Sequence, residues 1–331
     1  PVSVFRTGVA AQGAAVIMAA LKLEPRLQSI LAQEYPRFSD VEYARRHAAL
    51  GAAMQKHDVD HLLIVTNNRN GNATQWVTGW PGTVEALTIF KPGVPMTMFM
   101  EWYNHSPLAK IIARGVDVQW GGHEGIVRTI AELKKRGAKN VGVIGPLPHA
   151  KYKQLEQTFA VKSLDADYTR LRMIKSAEEL DWFRIGAAMS DAAFAALLEG
   201  CRPGLDEREL SALVESAYIK HGGTTMIHYI GCTSMASPHL YVPRQLPSPR
   251  KVAVGDLVFC GGYFQPILGS RSRPAGKLPD MVLEENMTIV VQPNVVNQEH
   301  TAGVQVGEMI RVTKTGFERM HAAARGLFRA A

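Results

Sequence analysis

Cysteine is scarce in this chain of 331 residues. Cys201, Cys232 and Cys260 are odd in number and lack the close spacing of a zinc ribbon or a redox pair, which excludes a disulfide framework and fits reduced thiols in a cytoplasmic protein. Long apolar runs are missing as well. Residues 8–21 form an alanine-rich stretch after Arg6 that looks like a secretion signal. Gln12 interrupts it, however, and it is too short to span a bilayer, so it reads as an N-terminal helix or strap and implies no membrane. Basic runs interleaved with aromatics are absent: the net charge is +7 and the isoelectric point about 9.3, yet Lys and Arg are spread along the chain. Lys134, Lys135 and Arg136 simply precede Gly137, where cations favour a helix C-terminus. No nucleic acid partner is therefore expected, and the modest positive field suits a small carboxylate-bearing molecule. There is no internal repeat and no low-complexity segment.

What is present is enough apolar content, 46%, to build substantial cores, and a length that points to two domains. After an extension over residues 1–37, helical spacing over 40–56 feeds a buried-strand pattern at 61–65. Strand patterns at 84–90 and 96–100 flank the turn Lys91-Pro92-Gly93 and predict a hairpin. A helix from 106 to 113, a strand at 116–120, a helix ending at Arg136 and a strand at 141–144 follow, so residues 38–165 read as an α/β domain. The second domain, 166–331, opens with two helices that carry their own start signals, Ser176 with Glu179 and Asp206 with Glu209 as capping boxes. Leu180, Phe183, Ala187, Phe194 and Leu197 mark the buried face expected for the first. From Met226 onward the chain reads as strands and loops, clearest at 252–259, 287–291 and 309–312. Helices first and strands afterwards make this domain α+β.

Arg172, Ile174-Lys175-Ser176, Glu179, Arg184, Asp191, Pro203-Gly204 and Glu209-Leu210 resemble the opening helices of the pita-bread domain shared by creatinase, prolidase and aminopeptidase P, the M24-type peptidase family. Gly255-Asp256-Leu257-Val258 resembles the strand leading into its centre, and Val312-Thr313 with Gly316 and Glu318 its closing strand and turn. Trp76-Val77-Thr78-Gly79 is similar to the family's N-terminal domain. The resemblance implies a hydrolase that cleaves a C–N or peptide-like amide bond in a small carboxylated or dipeptide-like substrate, and it implies a homodimer.

The match breaks off at one bond. Metal-dependent members continue from Gly-Asp-Leu-Val into two aspartate ligands and a later histidine, whereas here Cys260 is followed at once by Gly261-Gly262-Tyr263, which resembles the glycines after that histidine. A central segment of the second domain is expected to be missing at Cys260/Gly261. The family's remaining two ligands are glutamates, and here Gln292 stands at one position while Gly307 stands at the other with Glu308 one residue late. A neutral amide supplies no charge to offset two close cations, and a one-residue slip on a strand turns a side chain to the opposite face. The resemblance therefore implies a metal-independent site. The alternative is a pair of divalent ions (Mn, Co, Zn or Fe), held in part by Gln292 and Glu308, in an Xaa-Pro dipeptidase or aminopeptidase. A lyase or a non-catalytic binding protein on the same fold also stays open.

His239, in Ser237-Pro238-His239-Leu240-Tyr241, is the catalytic candidate. A loop histidine taken alone is more often a partner of the backbone, but this one aligns with the family histidine that faces the scissile bond, where an imidazole can move protons near neutral pH. His228, Tyr241, Gln292, Glu308 and Arg244 are the substrate-binding candidates, Arg244 as one of several loop guanidiniums, with Arg250, Arg271 and Arg273, able to clamp a carboxylate. Cys232 beside Gly231 has the makings of a nucleophile, but buried free cysteines usually behave as small hydrophobes.

Overall fold

The computed structural model describes residues 21–35, 37–67, 72–241, 244, 246–266 and 281–330. The strap expected over 8–20 and the loop residues Arg271 and Arg273 lie outside them. In the first unit a six-stranded mixed sheet has the order β4-β3-β2-β1-β5-β6. Its strands are β1 (His61–Thr66), β2 (Ala86–Lys91), β3 (Val94–Met100), β4 (Val116–Trp120), β5 (Asn140–Ile144) and β6 (Ala160–Ser163). The predicted hairpin is β2 against β3, antiparallel, turning through Gly93 at φ +74°. Every residue of β1 is buried because the strand is central and both its faces are covered. Leu62 and Ile64 meet α2 (Asp40–Lys56), α3 (Ala73–Thr78) and α7 (Asp165–Met173) through Leu50, Met54, Trp76 and Tyr168. One residue out of phase, Leu63 and Val65 meet α5 (Gly125–Lys135) and α6 (His149–Glu156) through Ile126, Leu133 and Leu155. A fully buried side chain of this size contributes roughly 1.5–3 kcal/mol. The remaining helices are α1 (Pro25–Leu31) and α4 (Ser106–Ile112), and α1 packs its Leu27 on the second unit. Because Tyr168 of α7 lies in the first unit's core, that unit extends past residue 165.

The second unit opens with α8 (Ala177–Gly200) and α9 (Glu207–Ile219), and both predicted capping boxes are formed, with side chain and backbone satisfying each other at Ser176/Glu179 and Asp206/Glu209. The buried side of α8 is wider than the expected line. Leu180, Ala187 and Leu197 are buried as expected, and Trp182, Ile185, Met189 and Ala193 enter the core beside them, while Phe183 lies under Lys175 and Phe194 packs on Phe328. A helix covered on several sides has no single stripe to read. The strands are β7 (Gly223–Ser234), β8 (Asp256–Pro266), β9 (Thr288–Val291), β10 (Asn294–Val296), β11 (Gly303–Gln305), β12 (Glu308–Val312) and β13 (Phe317–Arg319). Among the described residues they pair as β7-β8, β10-β11 and β13-β12-β9. One expectation changes here. β8 begins at Asp256 and not at 252, because Gly255 takes φ +85° and the Ala253 amide donates to the Asp256 carboxylate, making a turn. β8 also runs across Cys260 and Gly261 opposite Ile230 and Tyr229 with no register shift between them, so the bond at which the resemblance breaks off lies inside a continuous strand.

The two units are joined through Arg46, which is 0% exposed. Its guanidinium donates to Glu42 at 2.7 Å, to the Trp76 carbonyl at 2.9 Å and to Glu179 at 3.0 Å, and it lies 3.8 Å from the Phe38 ring centroid. Glu179 also accepts from the Trp76 indole at 3.0 Å and from the Ser176 amide at 2.9 Å, so one carboxylate closes a capping box and ties the domains together.

Candidate active site

β7 presents its side chains alternately to two faces. His228, Ile230 and Cys232 turn toward α8 and α9, where Ile230 and Cys232 join a core with Val214 and Tyr218. His228 is accordingly buried, with Nδ1 2.7 Å from the Ser211 hydroxyl and Nε2 2.8 Å from the Tyr218 hydroxyl, and burial lowers its pKa. This corrects the expectation that His228 binds substrate, since both ring nitrogens are committed to α9. Cys232 lies on the same face, fully buried, with burial pushing its thiol above the usual range despite Arg250 beside it. It is not built as a nucleophile.

Gly231 and Thr233 face the other way, toward the segment that carries His239. A Cβ at Gly231 would come within 2.5 Å of Leu240 Cδ2, so the Leu240 side chain rests on bare backbone here, and the Ile230 amide donates to the Arg244 carbonyl at 3.2 Å. Thr233 fixes His239 twice: its Oγ1 accepts from the His239 amide at 3.0 Å and lies 3.0 Å from Nδ1. The ring is exposed, and Nε2 has no partner among the described residues. Next to it, a cavity of about 160 Å³ is bounded by Thr233, Pro238, Leu240, Phe259, Ala302 and Gly303. Tyr241 stands over the β10-β11 end, its ring 5.7 Å from that of His300 and its carbonyl 2.9 Å from a Cβ built at Gly303.

A group of residues that the sequence did not single out holds this loop. Glu207, fully buried at the start of α9, accepts from the Cys232 amide at 2.9 Å and from the Ser248 amide at 2.7 Å. Burial works against its charge, but these hydrogen bonds and the nearby Arg244 outweigh it and hold the carboxyl below the usual range. Arg250 clamps Asp256 at 2.7 and 2.9 Å, which lowers the Asp256 pKa. Arg250 is thereby spent on the scaffold, while the Arg244 Nε is buried without an acceptor. A glutamate three residues before a leucine stripe reads from sequence as a helix start, which hides its second task.

Gln292 is exposed and packs over Gly307, 3.6 Å from a Cβ built there. Glu308 lies opposite Val291, and its Oε2 accepts from Arg319 at 2.9 Å and Arg325 at 2.7 Å, while Oε1 is buried and unpartnered. On the other face of β12, Arg311 pairs with Glu318 at 2.8 Å, and Glu318 in turn meets Arg184 of α8 at 3.5 Å. Glu308 therefore turns away from the α8 side, as its register dictates. No hydrogen bond or ion pair joins Gln292 or Glu308 to His239 among the described residues. Nor do they fit a divalent pair: no group of three or more His, Cys, Asp or Glu side chains among the described residues is placed to hold a metal ion, and Glu308 already neutralises two guanidiniums.

The fold these elements make is the two-domain arrangement of an α/β domain and a pita-bread domain, as found in prolidases and Xaa-Pro aminopeptidases. Among solved structures, the chain is similar to the Xaa-Pro dipeptidase from Bacillus anthracis, with 17% identity and a TM-score of 0.70 over 86% of this chain and 99% of that one. It is similar also to the prolidase from Pyrococcus horikoshii, with 18% identity and a TM-score of 0.69 over 86% of this chain and all of that one. In sequence it is 23% identical over 252 residues to an uncharacterized hydrolase/peptidase, y4tM, of Sinorhizobium fredii, a match covering 65% of this chain and 58% of that protein. It is 22% identical over 275 residues to an uncharacterized peptidase, YqhT, of Bacillus subtilis, covering 80% of this chain and 73% of that one. No family model matches the chain. Among the described residues no helix is long and apolar enough to cross a membrane.

Proposed function

We propose that this protein is a hydrolase of a C–N or peptide-like amide bond in a small carboxylated substrate, acting without a metal ion, in the cytoplasm and as a homodimer. The observation that carries the reading is the seating of His239: Thr233 holds Nδ1 and the backbone amide, and the residues on either side of it, Pro238 and Leu240, line a small cavity. A neutral imidazole there takes a proton from water as the oxygen bonds to the carbonyl carbon. It then gives that proton to the leaving nitrogen as the C–N bond breaks. Tyr241 and the Arg244 guanidinium, on the same segment as His239, are the groups proposed to receive the substrate's polar ends, with Gln292 and Glu308 as further candidates. The peptidase names carried by relatives and structural neighbours support the bond type.

The test is amine release from a panel of Xaa-Pro dipeptides and N-acyl amino acids, with protein dialysed against a chelator. Turnover is expected to survive chelation and to fall at least about 100-fold in His239→Ala, the range of a lost general acid/base. Loss of turnover on chelation would overturn the metal-free chemistry. Full turnover in His239→Ala would overturn the role of His239.

A further inference from the structure

We propose that a cavity at the junction of the two domains is a second binding site, one that takes a small carboxylate with an apolar body. The cavity measures about 600 Å³, within the range of roughly 300–1,000 Å³ typical of small-molecule sites. It lies where α1 and the start of the second unit's α8 meet the start of α2 and Arg114 of the first unit. None of His239, Tyr241, Gln292 or Glu308 lines it, so the inference does not rest on the chemistry proposed above.

The charge on its walls is unevenly used. All three carboxylates are engaged. Asp181 accepts both Nη atoms of Arg26, at 2.5 and 2.6 Å, and Glu178 accepts the Ser39 amide at 2.8 Å and hydroxyl at 2.5 Å. Asp40 pairs with the Arg114 Nη2 at 3.1 Å. The guanidiniums keep donors in reserve. Arg114 has its Nε buried with no acceptor among the described residues, and Arg37, which is exposed, makes no hydrogen bond or ion pair with any described residue. Both guanidiniums therefore have donors to offer, in a cavity whose acidic groups are already occupied, and an added anion can accept from both. Ile30, Phe38 and Trp182 supply the apolar wall for the rest of such a ligand. A carboxylate is favoured over a larger, more highly charged anion because Asp40 and Glu178 border the same space and would repel excess negative charge. A ligand held there bridges both domains, so it should also raise the thermal midpoint, as any ligand specific to the native state does.

The experiment is isothermal titration of the full chain with 3-phenylpropionate, its neutral amide and inorganic phosphate. Saturable one-to-one binding of the carboxylate is expected, weakened about tenfold or more in the amide and in Arg37→Glu, as the loss of one charge-assisted contact implies, and unchanged in His239→Asn. Arg37 is exposed and has no partner among the described residues, so its replacement is expected to leave folding intact; Arg114→Gln provides a second variant with the same expected direction. Absence of saturable binding up to about 10 mM, a range that covers the weakest specific sites, would overturn the proposal. So would equal affinity for the amide, indifference to Arg37→Glu, or loss of binding in His239→Asn. Phosphate binding as tightly as 3-phenylpropionate would overturn the apolar part of the assignment.

Discussion

Replacing Lys175 with methionine is expected to stabilise the protein at neutral pH and to destabilise it slightly at pH 9.5. Lys175 is 4% exposed and stands over the Phe183 ring, its Nζ 5.5 Å from the centroid, donating to the carbonyls of Arg172 and Met173. Burial, helped by the neighbouring Arg172 and opposed by Glu179, pulls its pKa from 10.5 to about 8. A folded pKa below the unfolded one means that the charged lysine penalises the native state. The penalty is complete below pH 8 and is relieved as pH rises toward 10.5. At about 1.4 kcal/mol per pKa unit the penalty is about 3 kcal/mol at pH 7, and by the same linkage about 1.5 kcal/mol at pH 9.5. Methionine fills the space without a charge but leaves two carbonyls without this donor, at about 1 kcal/mol each. The net gain at pH 7 is about 1 kcal/mol. The lost hydrogen bonds weigh equally at both pH values, so the telling quantity is the change in the gap between the two proteins, about 2 kcal/mol from pH 7 to 9.5. Urea denaturation of both proteins at the two pH values measures it. A gap that stays constant would refute the reasoning, because it would mean that Lys175 titrates normally in the folded protein.

Arg46→Ala strands Glu42 and Glu179 at the domain junction and should cost about 3 kcal/mol, the lower end for a broken buried pair, because Arg45 still reaches both carboxylates at 2.7 and 3.6 Å. Urea denaturation reads this, and a loss below about 1 kcal/mol would show that the network does not hold the units together. His228 has a folded pKa lowered by burial, so it stabilises fully only above its ordinary value of 6.5, and stability should decline as pH falls from there toward the depressed folded pKa. His228→Gln, which cannot titrate, should flatten the thermal midpoint between pH 7 and 5 relative to the parent, and an unchanged slope would contradict the burial described for this ring.

Local signals survived best. Both capping boxes, the helix 40–56 and the β2-β3 hairpin were legible because each is specified by residues within a few positions of one another. Signals that depend on what lies across the core were not. The buried line of α8 could not be read from a helix packed on several sides, and the pairing of β7 with β8 depends on partners about thirty residues apart. The site divides in the same way. His239 is singled out by its resemblance to a family pattern, and Thr233 beneath it is not, because a threonine on a strand carries no signal of its own until the loop folds back over Gly231. His228 was misplaced for want of one fact, its parity on β7 relative to Cys232, which decides whether the ring meets the helices or the cleft.

The same parity argument accounts for the direction of Glu308, one of the two residues at positions that the resemblance aligns with metal ligands. Glu308 is one residue out of phase with the ligand it resembles, and β12 pairs regularly with β9 from Glu308 to Arg311, with no bulge to re-aim it. Once displaced, a carboxylate that is 11% exposed requires a counter-charge of its own, and Arg319 and Arg325 provide it. The two guanidiniums are then the reason that restoring a glutamate at Gln292 alone should not create a cation site: the new carboxylate would meet a neighbour already neutralised, and the nearest positive charge would be an arginine and not a metal. Strand register and the two arginines thus act together on Glu308, and changing either alone leaves the other in place.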